Sequence, residues 1–264
     1  MFGITRSVNH WPDNRCAKAF WGQQGLPPYQ QLLADTTDRL NPRPGDRWLD
    51  LGCGRGMLTR AVWEQSRGRV AEVIGLDIAP ANATAYEKLQ RSLQPTPYPG
   101  QVRFLAANFS NGIGQFRDSF FDGVVSGLAI SYAENFCEER RRWTCDAYDH
   151  VLAEVRRVLK PGGRFVFSVN VPEPNWAKVA WEALRGTFDA RRPHRYLLKA
   201  MRMYRYGGWL KREARRGRFH YLPLETIRTK LLALGFGHVE GSLSFSGQAY
   251  VISCRAGAAM RMAA

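Results

Sequence analysis

The chain has 264 residues, of which 45% are hydrophobic, 12% aromatic and 23% charged; this excludes a disordered tail and is long enough to bury a core unaided. Five irregularly spaced cysteines (Cys16, Cys53, Cys137, Cys145, Cys254) argue against a disulfide scaffold or zinc ribbon, and no apolar run approaches the roughly 18 residues of a membrane span. The net charge of +15 points to an acidic partner: nucleic acid, an anionic membrane surface or an acidic substrate.

In chain order, the start MFGITRSVNHWPDNR lacks an apolar secretion core, so a cytoplasmic protein in a reducing compartment is expected. Asn14 to Leu40, with Phe20, Trp21, Tyr29, Leu32 and Leu33, reads as a helical cap over one end of a sheet. Strands are expected at Arg47–Leu51, Ala71–Leu76, Val102–Ala106, Phe121–Ser126 and Arg164–Asn170, with helices at Met57–Ser66, Ala81–Leu93 and Trp143–Leu159. The last helix is stopped by Lys160-Pro161-Gly162-Gly163. A helix at Leu224–Leu234, closed by Gly235, precedes two strand-like runs at His238–Leu243 and Gln248–Cys254 that read as a final hairpin. Alternation of this kind marks a βαβ series with a mostly parallel sheet. The expected units are an N-terminal cap (1–44), a core (45–172), an inserted segment (173–222) and the C-terminal part of the core (223–264).

Asp50-Leu51-Gly52-Cys53-Gly54-Arg55-Gly56 follows the first strand and opens a helix, where an open α/β sheet binds ligands. A dinucleotide fingerprint needs its third glycine at position 57, and Met57 stands there. Asp50 suits a ligand carrying an ammonium group better than one carrying phosphates. Asp77, ending the second strand, is placed to accept both hydroxyls of a ribose. After the third strand, Asn108 offers an amide for an adenine edge and Phe109 a ring to cover the base.

Leu49–Gly56, Asp77, the run Phe120-Phe121-Asp122-Gly123-Val124-Val125-Ser126, and Leu159-Lys160-Pro161-Gly162-Gly163-Arg164-Phe165 together resemble the class I S-adenosylmethionine-dependent methyltransferases, of the type 11 kind. The resemblance covers roughly residues 45 to 172. It implies a Rossmann-like seven-stranded sheet, mostly parallel, with helices on both faces and the last strand antiparallel. It also implies S-adenosylmethionine across the switch point, held by Asp50, Gly52, Cys53, Gly54, Gly56, Asp77, Ile78, Asn108, Phe109 and Ser126. Asn108 departs from the aspartate usual in that family.

Methyl transfer is an in-line displacement that demands alignment and exclusion of water, and a base only if the acceptor must first lose a proton. The loop Ser126–Asn135 should meet the acceptor, with Leu128, Ile130, Ser131 and Tyr132 as its floor. Tyr132, His220 and Tyr221 are the catalytic candidates, with Glu134 and His10 as further ones. His150 reads as structural, and Thr144-Cys145 as too far from the site to be a nucleophile. No His, Cys, Asp and Glu set has metal-ligand spacing, so a metal-independent reaction is expected.

From Pro174 to His220 stand 13 Lys or Arg against three acids, most of the net charge. At helical spacing over Arg195–Gly207, Arg195, Lys199, Arg202 and Tyr206 define one side and Leu197, Leu198, Met201 and Tyr204 another. This basic, aromatic lid suits a small apolar or amphiphilic acceptor, lipid-, isoprenoid- or quinone-like, reached at the inner face of an anionic membrane. The alternatives are an RNA methyltransferase gripping phosphates with the lid, and a catalytically silent cofactor-binding regulator.

Overall fold

The computed structural model describes residues 24–93, 101–185 and 193–258. His10, Cys16, Phe20 and Trp21 lie outside the described residues. Strands β1 (Arg47–Leu51), β2 (Glu72–Asp77), β3 (Gln101–Ala106), β4 (Phe121–Gly127), β7 (Leu159–Asn170), β8 (Phe236–Ser244) and β9 (Ala249–Ala256) form one sheet, in the order β3-β2-β1-β4-β7-β9-β8. The first five pair in parallel, and β9 runs antiparallel between β7 and β8. The expected mostly parallel sheet with an antiparallel last strand is therefore present, and its final strand fills an inner position and leaves β8 at the edge. A short antiparallel pair, β5 (Asn135–Cys137) and β6 (Arg142–Thr144), stands apart from it.

Strands buried on both faces read as nearly continuous apolar runs, and alternate residues serve opposite layers. Trp48, Val73, Val125 and Val166 pack with Val62, Trp63, Tyr86 and Leu89 of α2 (Met57–Gln65) and α3 (Pro80–Leu93). Leu49, Leu51, Val124 and Phe165 pack with Tyr148, Val151, Ile227 and Leu231 of α4 (Asp146–Val158) and α7 (Leu224–Ala233). Asp50 shares the Trp48 side, which aims it at α2.

Three sequence expectations shift. The helix expected from Trp143 begins at Asp146, because Trp143 belongs to β6, where its ring meets Phe136 at 5.1 Å. Lys160–Gly163 is the irregular start of β7 as well as a helix stop. The N-terminal cap contributes α1 (Pro27–Thr37) among the described residues.

The insertion supplies α5 (Trp176–Arg185) and α6 (Pro193–Arg215). Where side chains of α6 are described, its faces are the reverse of the expected ones: Met201 and Tyr204 are 57% and 56% exposed. Tyr206 instead packs inward with Gly207 and Leu210, since Gly207 lets Trp176 of α5 approach so closely that a Cβ there would stand 2.5 Å from its ring. Among the described residues no helix is long and apolar enough to cross a membrane.

Phe121 is fully buried, with the rings of Phe116 and Phe120 edge-on at 5.0 and 4.9 Å. Phe121→Ala is expected to lower stability by about 3–5 kcal/mol in denaturant titration, through the lost burial and the cavity left behind.

Candidate active site

Gly52, Gly54 and Gly56 all have positive φ, at 72°, 52° and 78°, so the chain turns off β1 in the left-handed region that favours glycine. A Cβ on Gly52 would overlap Ala129 of the loop after β4. The turn is pinned from the neighbouring strand. Gly52 and Cys53 amides donate to Leu76 O at 2.8 and 3.1 Å, while Asp77 Oδ2 accepts from the Gly54 amide and its Oδ1 from the Ala79 amide, both at 2.9 Å.

Behind the turn, Asp50 is 1% exposed. Its Oδ2 accepts from the Thr59 amide at 2.9 Å and from Thr59 Oγ1 at 2.7 Å, and no cation pairs with it among the described residues. Burial pushes its carboxyl up to about 7 against the pull of the Thr59 bonds, and the Asp77 charge adds to the rise. Burial and the Asp50 charge likewise push the Tyr29 hydroxyl up to about 12.

These groups face a cavity of about 990 Å³, its open mouth included. The structure brings together on its walls ten of the residues expected from sequence: Asp50, Gly52, Cys53, Gly54, Asp77, Ile78, Asn108 and Phe109, then Leu128 and Tyr132. Asn108 Oδ1 accepts the Ser110 amide at 3.0 Å and so caps the turn that carries Phe109, leaving its Nδ2 as the atom for a ligand.

Other expected residues stand elsewhere. Gly56 faces Leu89 and Tyr86, and serves helix entry and packing. The Ser126 hydroxyl is fully buried and donates to Leu51 O at 2.7 Å, tying β4 to β1. Ile130 points into the α4 side of the core. Ser131 is buried, and its carbonyl accepts the His220 amide at 2.8 Å. His220 lies outside the cavity lining with Nδ1 3.4 Å from Cys145 Sγ and its ring on Tyr148; burial pulls it down to about 4, so it is neutral. Tyr221 stands behind Tyr132, donating to its hydroxyl at 3.3 Å. Glu134 is buried in an ion pair with Arg218 Nε at 2.5 Å.

Arg218 therefore joins the insertion to the loop after β4. It also reaches Glu213 at 3.4 Å and lies over Trp143 at 4.9 Å.

Sequence reasoning missed Gln24 and Asn82 as wall residues and treated Tyr29 as packing alone. Asn82 carries a signal, standing in the first turn of the helix after Asp77. Gln24 and Tyr29 carry none, because only the docking of α1 brings them to the cavity.

Residues 49–167 match the family model described as a methyltransferase domain. Over that span, less than half of its length, the chain is similar to the methyltransferase domain family. The chain is 32% identical over 142 residues to methyltransferase phqN of Penicillium fellutanum, covering 54% of this chain and 36% of that protein. It is 33% identical over 127 residues to a demethylmenaquinone methyltransferase of Symbiobacterium thermophilum, covering 47% of this chain and 42% of that one. The chain thus spans about two fifths of the length of these curated relatives. A complex of the Haloferax volcanii Trm112 methyltransferase activator with a putative methyltransferase superposes with a TM-score of 0.61 at 18% identity, over 94% of this chain and 97% of that one, and so shares the methyltransferase domain's fold.

Gly52→Ala is expected to abolish measurable cofactor binding in calorimetry while far-ultraviolet circular dichroism stays unchanged, since the added methyl displaces the turn from Ala129. Arg218→Ala leaves the Glu134 carboxylate buried without its cation, and should cost on the order of 3 kcal/mol in denaturant titration.

Proposed function

We propose that the protein transfers a methyl group from S-adenosylmethionine to a small, uncharged, apolar or amphiphilic acceptor of lipid-, isoprenoid- or quinone-like character. The observation that carries this reading is one cavity whose wall combines the buried carboxyl of Asp50 and the half-buried carboxylate of Asp77 with the apolar and aromatic side chains of Leu128, Tyr132 and Tyr29.

The described residues fit the cofactor. Asp50, buried without a cation, is the group an ammonium would satisfy, and such a partner would draw its carboxyl down and ionise it. Asp77 keeps lone pairs for ribose hydroxyls beyond the two amides it already accepts. Ile78 and Phe109 offer apolar cover to a base, and Asn108 Nδ2 offers a donor.

When bound, S-adenosylmethionine supplies a sulfonium-activated methyl group for in-line displacement. The chain's own contribution is to orient and to exclude water. No described wall residue at the acceptor end is poised as a base near neutrality, since burial holds the Tyr132 hydroxyl up at about 12 and His220 lies elsewhere. The acceptor on this reading carries its own nucleophilicity.

Exposed Trp181, Met201 and Tyr204 on the insertion support approach to a lipid interface. The ion pairs of Lys211 and Arg215 with Glu173, and of Arg216 and Arg218 with Glu213, weigh against a phosphate clamp for RNA, because these cations already have protein partners. The demethylmenaquinone relative is named for an acceptor of the proposed kind.

Incubation with methyl-labelled S-adenosylmethionine and separated lipid and RNA extracts should place label in the lipid fraction; label confined to RNA would overturn the acceptor reading. Asp50 also yields a pH dependence with a definite sign. Its folded carboxyl is raised to about 7 from 3.8, so the stability it confers on the free protein is present below about 4 and lost as pH rises through 7. Asp50→Asn should raise the melting temperature of the free protein at pH 8, with the gain fading toward pH 4, while weakening S-adenosylmethionine binding. In the unsubstituted protein that affinity should fall as pH drops below 7, as calorimetry at several pH values will register. Asp77→Ala should weaken binding by roughly 1–3 kcal/mol.

A further inference from the structure

The carboxyl edge of the sheet sets out the polar groups of the cavity in a row. Strands β3, β2 and β1 are neighbours, about 4.8 Å apart as in any sheet, and their ends lead to Asn108, to Asp77 and to the turn behind which Asp50 lies. A nucleoside whose ribose takes Asp77 and whose ammonium-bearing arm reaches Asp50 must extend its base the other way, toward the end of β3. There Asn108, Phe109 and Ser110 line the cavity. The base joins the ribose through one edge, so the edge remote from the sugar, which carries position 6 of a purine, is the one that meets the polar pair Asn108 and Ser110.

The outward atom of Asn108 is fixed by the chain itself. A backbone N–H only donates, so the side-chain atom 3.0 Å from the Ser110 amide is the acceptor Oδ1. Turning the amide over would set two donors against each other and strip the 109–111 turn of its cap. Nδ2 is therefore the atom left to the cavity, and Asn108 is only half-buried, within reach of a ligand. Ser110 Oγ accepts the Glu134 amide at 3.3 Å, which leaves its O–H to donate. Among the described residues the acids lining the cavity are Asp50 and Asp77 alone, so the base end offers donors and no carboxylate.

We propose that Asn108 makes this subsite a reader of acceptors, so that the cavity holds a 6-oxopurine nucleoside at least as well as the 6-aminopurine one. The inference rests on the cavity being an S-adenosylmethionine site and adds to it the specificity for the base. The exocyclic amine of adenine is a donor and finds Nδ2–H, another donor, opposite it; the carbonyl of a 6-oxopurine accepts from the same atom. An aspartate in this place would accept the amine, and Asn108 turns that acceptor into a donor with almost no change of shape. Ile78 and Phe109 offer the same apolar cover to either base, so the edge contact alone separates them.

S-adenosylhomocysteine and S-inosylhomocysteine, which differ at position 6 and in the proton on N1, are the probes, each titrated calorimetrically into the full chain. The unsubstituted protein should bind S-inosylhomocysteine no more than about threefold more weakly than S-adenosylhomocysteine, since no hydrogen bond favours the amine. Asn108→Asp keeps the shape and caps Ser110 with one oxygen while turning the other outward, and should favour S-adenosylhomocysteine by about tenfold or more. An Asn108 that serves only as a cap, or a purine edge open to solvent, would leave the ratio of the two affinities the same in both proteins. An unchanged ratio in Asn108→Asp, or a preference of about tenfold for S-adenosylhomocysteine in the unsubstituted protein, would each overturn the proposal. The same titrations keep the two readings apart. Binding of both probes with a strong preference for the amine sinks the base specificity alone, whereas binding of neither sinks the methyltransferase reading and the specificity with it.

Discussion

The carboxylate of Asp77 holds together the part of the molecule on which everything at the sheet's carboxyl edge depends. One oxygen takes the amide of Gly54 and the other that of Ala79, so a single side chain ties the turn after β1 to the turn after β2. On the opposite side Gly52 comes so close to Ala129 that no side chain fits between them, joining the turn after β1 to the loop after β4. The sheet order places β1 between β2 and β4, which makes this the switch point where neighbouring crossovers part and leave a crevice. The cavity is the space these constraints keep open.

Holding Asp50 behind that turn runs against the stability of the free protein. A carboxyl removed from water with only Thr59 to hydrogen-bond it is not at ease ionised, and its rise to about 7 expresses that cost. Structural carboxylates elsewhere in the chain are treated otherwise: Glu134 has Arg218, Glu154 has Arg157, and Asp149 has Lys230. The contrast supports the proposal that Asp50 takes its partner from a bound ligand.

The insertion does two kinds of work. Its inner side joins α1 and the 245–247 turn in an aromatic cluster, where Trp176 and Tyr29 both meet Phe245 edge-on, at 6.2 and 6.4 Å. Some of its charges are paired within the protein, Arg218 with the buried Glu134, and Lys211 and Arg215 with Glu173 at the surface. The strong local basicity thus overstates the positive charge left for a partner, and the exposed Trp181, Met201 and Tyr204 give that surface an apolar component.

The sequence alone carried the βαβ order, the turn at Gly52–Gly56 and the acids at Asp50 and Asp77, because each rests on neighbours in the chain: strand alternation, left-handed glycines, a carboxylate at a strand end. It could not separate Ser126 and Ile130 from Leu128 and Tyr132, four residues of one loop region, since the twist of the chain leaving β4 decides which face the cavity and which the core. Nor could it show that His220 would be buried and neutral against Cys145 and Tyr148, or that Tyr206 and Gly207, not Met201, form the inner side of α6. Gln24 and Tyr29 joined the picture only through contacts between segments remote in sequence. Local chemistry determined where a ligand would bind. Tertiary packing decided which side chains meet it, because burial and partner choice belong to the folded surroundings of a residue and not to its place in the chain.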